Sequence, residues 1–253
     1  SSDLKKHALS AGRCQTPALR LVHDNDQLIK TSANTTVWNY VLDYSKNKTP
    51  FYTANNGVVG FETNAVAKFA NTASMYFNGT PSSTAIVQAG PSSTIGSLGT
   101  SDFTLEAWVY PVSLTSASAI YRGEIMAYTI PGNTASAATG FNWSFFMTGS
   151  SATTITGLAF EGYTTGAVYA SSTASIAISL NTWHHIAMVR SGTTVTFFVD
   201  GIAVSGTSFT AGIAFQSSAT ATLQLGGLAT VASGSIYCAN LNGYIQEARI
   251  SKV

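Results

Sequence analysis

The sequence predicts an all-β fold, a two-sheet antiparallel β-sandwich, on three observations. Short apolar runs alternate with period two, residues 183–201 read as two strands joined at Ser191-Gly192, and no helix of length is apparent. In the second of those strands Val195, Phe197 and Val199 face one way, and Thr194, Thr196 and Phe198 the other. The first, 183–190, is apolar on both faces, as a strand inside a sandwich should be. Asp200-Gly201 after an alternating run signals a hairpin, because the turn needs positive φ and glycine supplies it without steric cost. A return strand is therefore expected at 202–204.

The other elements follow in chain order. Residues 1–16 carry no alternation and read as a short N-terminal arm, ordered where it touches something or clasping a neighbouring subunit. A first strand is expected at 18–23, a further candidate at 37–42, a polar loop at 43–48, and a hairpin turn at Asn56-Gly57. Strands at 75–77 and 86–88 flank a loop. In 103–110, Phe103, Leu105, Ala107 and Val109 form one face, and Thr104, Glu106, Trp108 and Tyr110 the other. Pro111 ends that strand, since proline donates nothing to a ladder. Residues 112–140 form a long excursion with one short strand at 119–128, the kind of loop in which binding resides. Strands at 141–148, 157–161, 167–170 and 223–225 complete the set.

Several of these stretches, in their order and spacing, resemble one family. Trp183-His184-His185-Ile186-Ala187 followed by 195–201 is similar to the signature hairpin of laminin G-like (concanavalin A-like) domains. Residues 103–108 resemble the early central strand, 223–227 the strand after the hairpin, and 241–250 the closing strand. Upstream, 19–24 and 75–79 resemble the first two strands, so the likeness covers 17–253. The variant it most resembles is common in structural proteins of tailed bacteriophages. The resemblance implies a jelly-roll sandwich over 17–253, with 1–16 outside it. It also implies that the first and last strands pair antiparallel, which sets Cys14 and Cys238 at opposite ends without a bridge.

Composition narrows function by exclusion. Charged residues are 9% of the chain against a usual ~25%, so Ser, Thr, Asn and Gly must supply the polar surface. The net charge of +1 offers no field to draw nucleic acid. It is unevenly spread, with eight Lys/Arg and five Asp/Glu in residues 1–68. Two cysteines make neither a metal site nor a disulfide framework. No apolar run reaches the ~18–20 residues that span a bilayer, and no signal-peptide core is present.

Catalytic and metal constellations are sparse. The glucanases related to this fold set their carboxylates on one strand as Glu-x-Asp-x-x-Glu, a pattern absent here; glycoside hydrolysis needs two such groups ~5–9.5 Å apart. Glu106 has no acidic neighbour two positions away. His184 and His185 are strand neighbours facing opposite ways, so they cannot share one ion; one is expected in the core and the other half-exposed. No Ser/His/Asp set stands out among so many serines, so no catalytic residue is assigned.

Some laminin G-like and pentraxin-like domains bind calcium through acidic loops, which makes Asp24 and Asp26 the calcium candidates. Residues 80–84 lack the acidic residue that the phage-type family often has there, and Asp24 and Asp26 read equally as turn carboxylates capping local amides. Aromatic residues in or near long loops, Tyr121, Tyr128, Trp143 and Tyr163, are the candidate sugar platform, although Trp143 shares a face with Phe141, Phe145 and Met147 and so also reads as core.

The expected function is that of a non-enzymatic virion accessory protein, decorating a capsid or forming part of a tail fibre. Its expected partners are other virion proteins, copies of itself as a homo-oligomer, and a host surface glycan, with no cofactor beyond the calcium candidate, no nucleic acid and no membrane insertion. The alternative is a secreted bacterial carbohydrate-binding or adhesion module.

Overall fold

A computed structural model describes residues 51–53, 59–63, 66–69, 73–79, 86–89, 96–117, 120–130, 141–228 and 240–252. All belong to one compact unit, Asn39–Val253. The arm, the expected strands at 18–23 and 37–42, the turn at Asn56-Gly57, both cysteines, Asp24 and Asp26 lie outside the described residues.

The described chain is all strand and turn. In order, the strands are β1 Phe51–Thr53, β2 Val59–Thr63, β3 Ala73–Asn78, β4 Val87–Ala89, β5 Phe103–Ser113, β6 Thr115–Ala117, β7 Ile120–Thr129 and β8 Phe141–Ser151. There follow β9 Thr154–Tyr163, β10 Tyr169–Ile178, β11 His184–Ser191, β12 Thr194–Val199, β13 Ile202–Ser205, β14 Thr222–Leu225 and β15 Asn242–Lys252. One sheet, here sheet A, runs β1-β4-β14-β7-β8-β9-β10, with β6 beside β7; the other, sheet B, runs β13-β12-β11-β5-β15-β3-β2. Every pairing is antiparallel, as the alternating pattern requires.

Between the sheets lies one apolar core. Phe103, Leu105, Ala107 and Val109 of β5 are fully buried, as are Ile186 and Met188 of β11 and Val195 and Phe197 of β12. Rings bridge the sheets: Phe145 of β8 meets Phe197 of β12 with centroids 6.3 Å apart, and Phe103 of β5 meets Phe160 of β9 at 5.9 Å. The Asp-Gly turn forms as expected, with Asp200 at φ 51° and Gly201 at φ 81°, and β13 is the return strand.

Three expectations need correcting. Pro111 does not end β5, which continues to Ser113. It sits opposite Gly243 where the β5–β15 register shifts, an irregularity that tolerates a missing donor. The supposed excursion after residue 112 holds β7, a full central strand between β14 and β8 rather than a short loop element. Phe141 does not join Trp143, Phe145 and Met147 in the main core. The β7–β8 ladder slips between Tyr128 and Thr129, and Phe141 packs instead in a small cluster with Ala127, Leu228 and Tyr163.

Candidate functional site

Among the described residues, three groups of side chains stand out for their chemistry. The first sits on the signature hairpin. Asp200 Oδ2 is 2.6 Å from His184 Nδ1, and His184 Nε2 is 3.0 Å from Ser179 Oγ. Those are the spacings of a nucleophile, a base and an orienting acid. His184 Nε2 is also 3.1 Å from the carbonyl oxygen of Ser179. Asp200 Oδ2 only accepts, so Nδ1 carries the N–H of the neutral imidazole, and Nε2 accepts from the Ser179 hydroxyl. The row is a latch tying the β10–β11 turn to the Asp-Gly turn. Burial works to raise the Asp200 carboxyl, but its bonds to His184 and to the His185 amide outweigh that and hold it below the ordinary range. His185 faces the other way, with Nε2 3.1 Å from Glu106 Oε2, while Arg249 Nε donates to Glu106 Oε1 at 2.7 Å.

The second group lies on the outer face of sheet A. Arg122 and Glu124 of β7, Ser144 and Phe146 of β8 and Glu161 of β9 are all buried. Arg122 Nη2 lies 2.9 Å from Glu124 Oε1 and 2.7 Å from Glu161 Oε1. Ser144 donates to Glu124 Oε2 at 2.6 Å and Tyr169 to Glu161 Oε2 at 2.9 Å. The guanidinium also stacks on the Phe146 ring, 3.4 Å from its centroid. Among the described residues, Glu124 Oε1 has charge contact with Arg122 but no aligned hydrogen bond, and Arg122 Nε meets no acceptor. Burial pushes the Glu124 carboxyl up to about 7 against the pull of Arg122 and Ser144. Burial works to lower Arg122, yet the two carboxylates prevail and raise it. Two close acids are present here, but each carboxyl oxygen is already engaged by a neighbour within the protein.

The third group is a row of aromatic rings on the outer face of sheet B. Tyr244 of β15 is the direct cross-strand partner of Tyr110 on β5 and of Tyr76 on β3, and Trp183 precedes β11 beside Tyr110. Ring centroids are 5.0 Å apart for Tyr76–Tyr244, 5.6 Å for Tyr110–Tyr244 and 5.7 Å for Tyr110–Trp183. All four are half-buried. Alternation produces the row: Phe77, Val109 and Ile245 point into the core, so their neighbours point out. Beside it Trp108 carries Lys68 over its face at 4.1 Å, and Lys68 N–H donates to Gln246 Oε1. Asn242, Gln246, His185 and Glu106 give the row a hydrogen-bonding fringe.

The fold and these surfaces can be set beside known proteins. Residues 87–253, well over half the chain, match the concanavalin A-like lectin/glucanases superfamily in its laminin G form. The chain belongs to this superfamily. No curated protein sequence matches it. Among solved structures it is similar to domain 4 of AbnA, an extracellular arabinanase from Geobacillus stearothermophilus, solved with arabinotriose. The identity there is 16% over 82% of this chain and 85% of that one, with a TM-score of 0.51. It is also similar to the binding domain of Paraclostridial Mosquitocidal Protein 1 (14% identity, 83% and 44% covered, TM-score 0.49). Mouse laminin α1 domains LG4-5 are a further likeness (13% identity, 74% and 46% covered, TM-score 0.41). The chain thus spans most of the arabinanase domain and under half of the other two.

As a laminin G-like sandwich, the chain places its expected sugar residues apart. Tyr128 and Trp143 are completely buried: Tyr128 donates to the Ser218 carbonyl, and Trp143 Nε1 donates to the Gly96 carbonyl at 2.6 Å. Neither can stack on a sugar. Tyr121 packs against the edge of the main core, and Tyr163 stands beside Phe141 and Tyr169 at the far rim of sheet A. Among the described residues no three His, Cys, Asp or Glu side chains gather to hold a metal ion. The Tyr76–Trp183 row was legible in part, since alternation already set Trp108 and Tyr110 opposite the core face of β5. Glu124 and Glu161 gave no signal, being far apart in sequence and brought together only by strand pairing.

Proposed function

We propose that this laminin G-like domain is a non-enzymatic binding module of a virion surface, a capsid-decoration or tail-fibre component, which grips glycan through the aromatic row of sheet B. The observation that carries the reading is the row itself: four adjacent half-buried rings spaced 5.0–5.7 Å, each tyrosine with a polar tip. The ring planes turn by 41°, 82° and 61° along the row. Such a corrugated surface suits one twisted polysaccharide chain better than a flat crystalline one. The virion setting is supported by the phage-type pattern of the hairpin and closing strand, and by a surface with few charges. The non-enzymatic reading is supported by the pair Glu124 and Glu161, which Arg122, Ser144 and Tyr169 engage from within the protein.

A polysaccharide array probed with the full chain tests this. Retention on at least one polymer is expected, with Tyr110→Ala and Trp183→Ala weakening it about tenfold or more, roughly 1.4 kcal/mol or above. Retention untouched by both changes refutes the assignment. Immunogold labelling of particles tests the setting: label on virions is expected, and label confined to secreted material favours the bacterial carbohydrate-binding alternative.

A further inference from the structure

Among the described residues, sheet A ends at β10, whose one strand partner there is β9. Beyond the β9 ladder, no backbone hydrogen bond joins residues 169–178 to any other described segment. A ten-residue edge with open N–H and C=O groups is a template for another strand, and proteins ordinarily blunt such edges with charge, proline or shortness. The other described end strands are short or charged: β13 has four residues, β1 has three, and β2 contains Glu62. The β10 edge has none of these protections. Between Glu161 and Arg190 the chain contains no Asp, Glu, Lys, Arg or Pro. The single irregularity is a register shift between Ser175 and Ile178, which leaves 169–175 as a regular strand.

We propose that the β10 edge is a self-association surface, on which residues 169–175 of two copies of this chain pair antiparallel and join their two A sheets into one. The occupant is a second copy because the edge complements itself. With no charged side chain, every antiparallel register of the strand against its twin is free of like-charge repulsion. The outward positions Tyr169, Ser171 and Thr173 are exposed, so Ser and Thr hydroxyls meet across the joint. A two-fold pairing also closes itself, since each copy covers the other's open edge and no template remains for further growth. Val168, 65% exposed, and Tyr169, 51% exposed, put apolar surface at one end of the strand where the partner would cover it. This deepens the assembly reading by naming the surface that copies share, and it is independent of the glycan-binding row on sheet B.

Sedimentation velocity of the full chain over a wide concentration range tests the proposal. A dimer is expected, with amides of 169–175 protected from hydrogen exchange. Ser171→Lys with Thr173→Lys places like charges against each other across the two-fold axis, and should give a monomer with an unchanged circular dichroism spectrum. Thr156→Lys, an exposed change on neighbouring β9, should leave the dimer intact. A chain monomeric at every concentration overturns the proposal, as does a dimer that survives the two lysines. The double lysine variant should still bind polysaccharide. Either overturning result would leave that binding, read separately through Tyr110→Ala, untouched.

Discussion

Glu124→Gln removes one of two carboxylates that share a single buried guanidinium. With both acids ionised, the Arg122 cluster carries a net negative charge inside the protein, and a proton on Glu124 cancels it. Burial is the main reason that the Glu124 carboxyl is pushed from 4.5 to about 7, with the Glu161 charge adding to it and Arg122 and Ser144 opposing it. Through that window the folded chain holds a proton that the unfolded chain has released, so the free energy of unfolding falls as pH rises. The stabilisation is complete below about 4.5 and gone above about 7. At about 1.4 kcal/mol per pKa unit, the loss is of order 3 kcal/mol. Glutamine keeps the acceptor for Ser144 and has no proton to lose. Urea unfolding of both proteins at several pH values between 4 and 8 isolates the effect, because every other titrating group is common to them. The stability difference should swing by roughly 3 kcal/mol in the variant's favour as pH rises. Parallel stability curves would refute the argument that burial of an unneutralised acid governs this cluster.

Gly226 stands at φ +72° with its missing Cβ against the Phe77 ring, so Gly226→Ala should cost roughly 2–4 kcal/mol of unfolding free energy, with Phe77→Leu recovering part of it. Asp200→Asn should cost about 1 kcal/mol at neutral pH, screened by the exposure of its side chain. Because the folded-state carboxyl is held low, its contribution is present above the ordinary carboxylate range and lost as pH falls. The variant should therefore show a shallower drop in Tm on acidification. Buried Arg190 donates to the carbonyls of Gly192 and Ile213 at 3.0 and 3.1 Å, so Arg190→Met should cost roughly 2–4 kcal/mol and speed hydrogen exchange across 206–216.

Local signals in the chain read true where a strand has one wet face or a turn has special chemistry. The alternation of 103–110 and 194–199, the apolar run of β11 and the Asp200-Gly201 turn were all legible, and each lies in sheet B. Sheet A was harder. Its centre is buried on both faces, so Arg122, Glu124 and Ser144 interrupt the apolar pattern without marking a surface. The strand expected at 167–170 overlaps β10 only at Tyr169 and Ala170, because the Ser, Thr and Ala that follow have weak propensity and small side chains. Tyr128 reads as a sugar candidate, and Trp143 as both sugar candidate and core, for the opposite reason, since large amphipathic rings serve cores and surfaces alike. Only burial tells which.

We propose that this sandwich makes contacts and breaks no bonds. The most direct test is size analysis of each polysaccharide after long incubation with the full chain, alongside Glu124→Gln and Ser179→Ala. Polymers that are retained yet unshortened by all three proteins are the predicted result. Shortened chains or released acyl groups that vanish in either variant would contradict it.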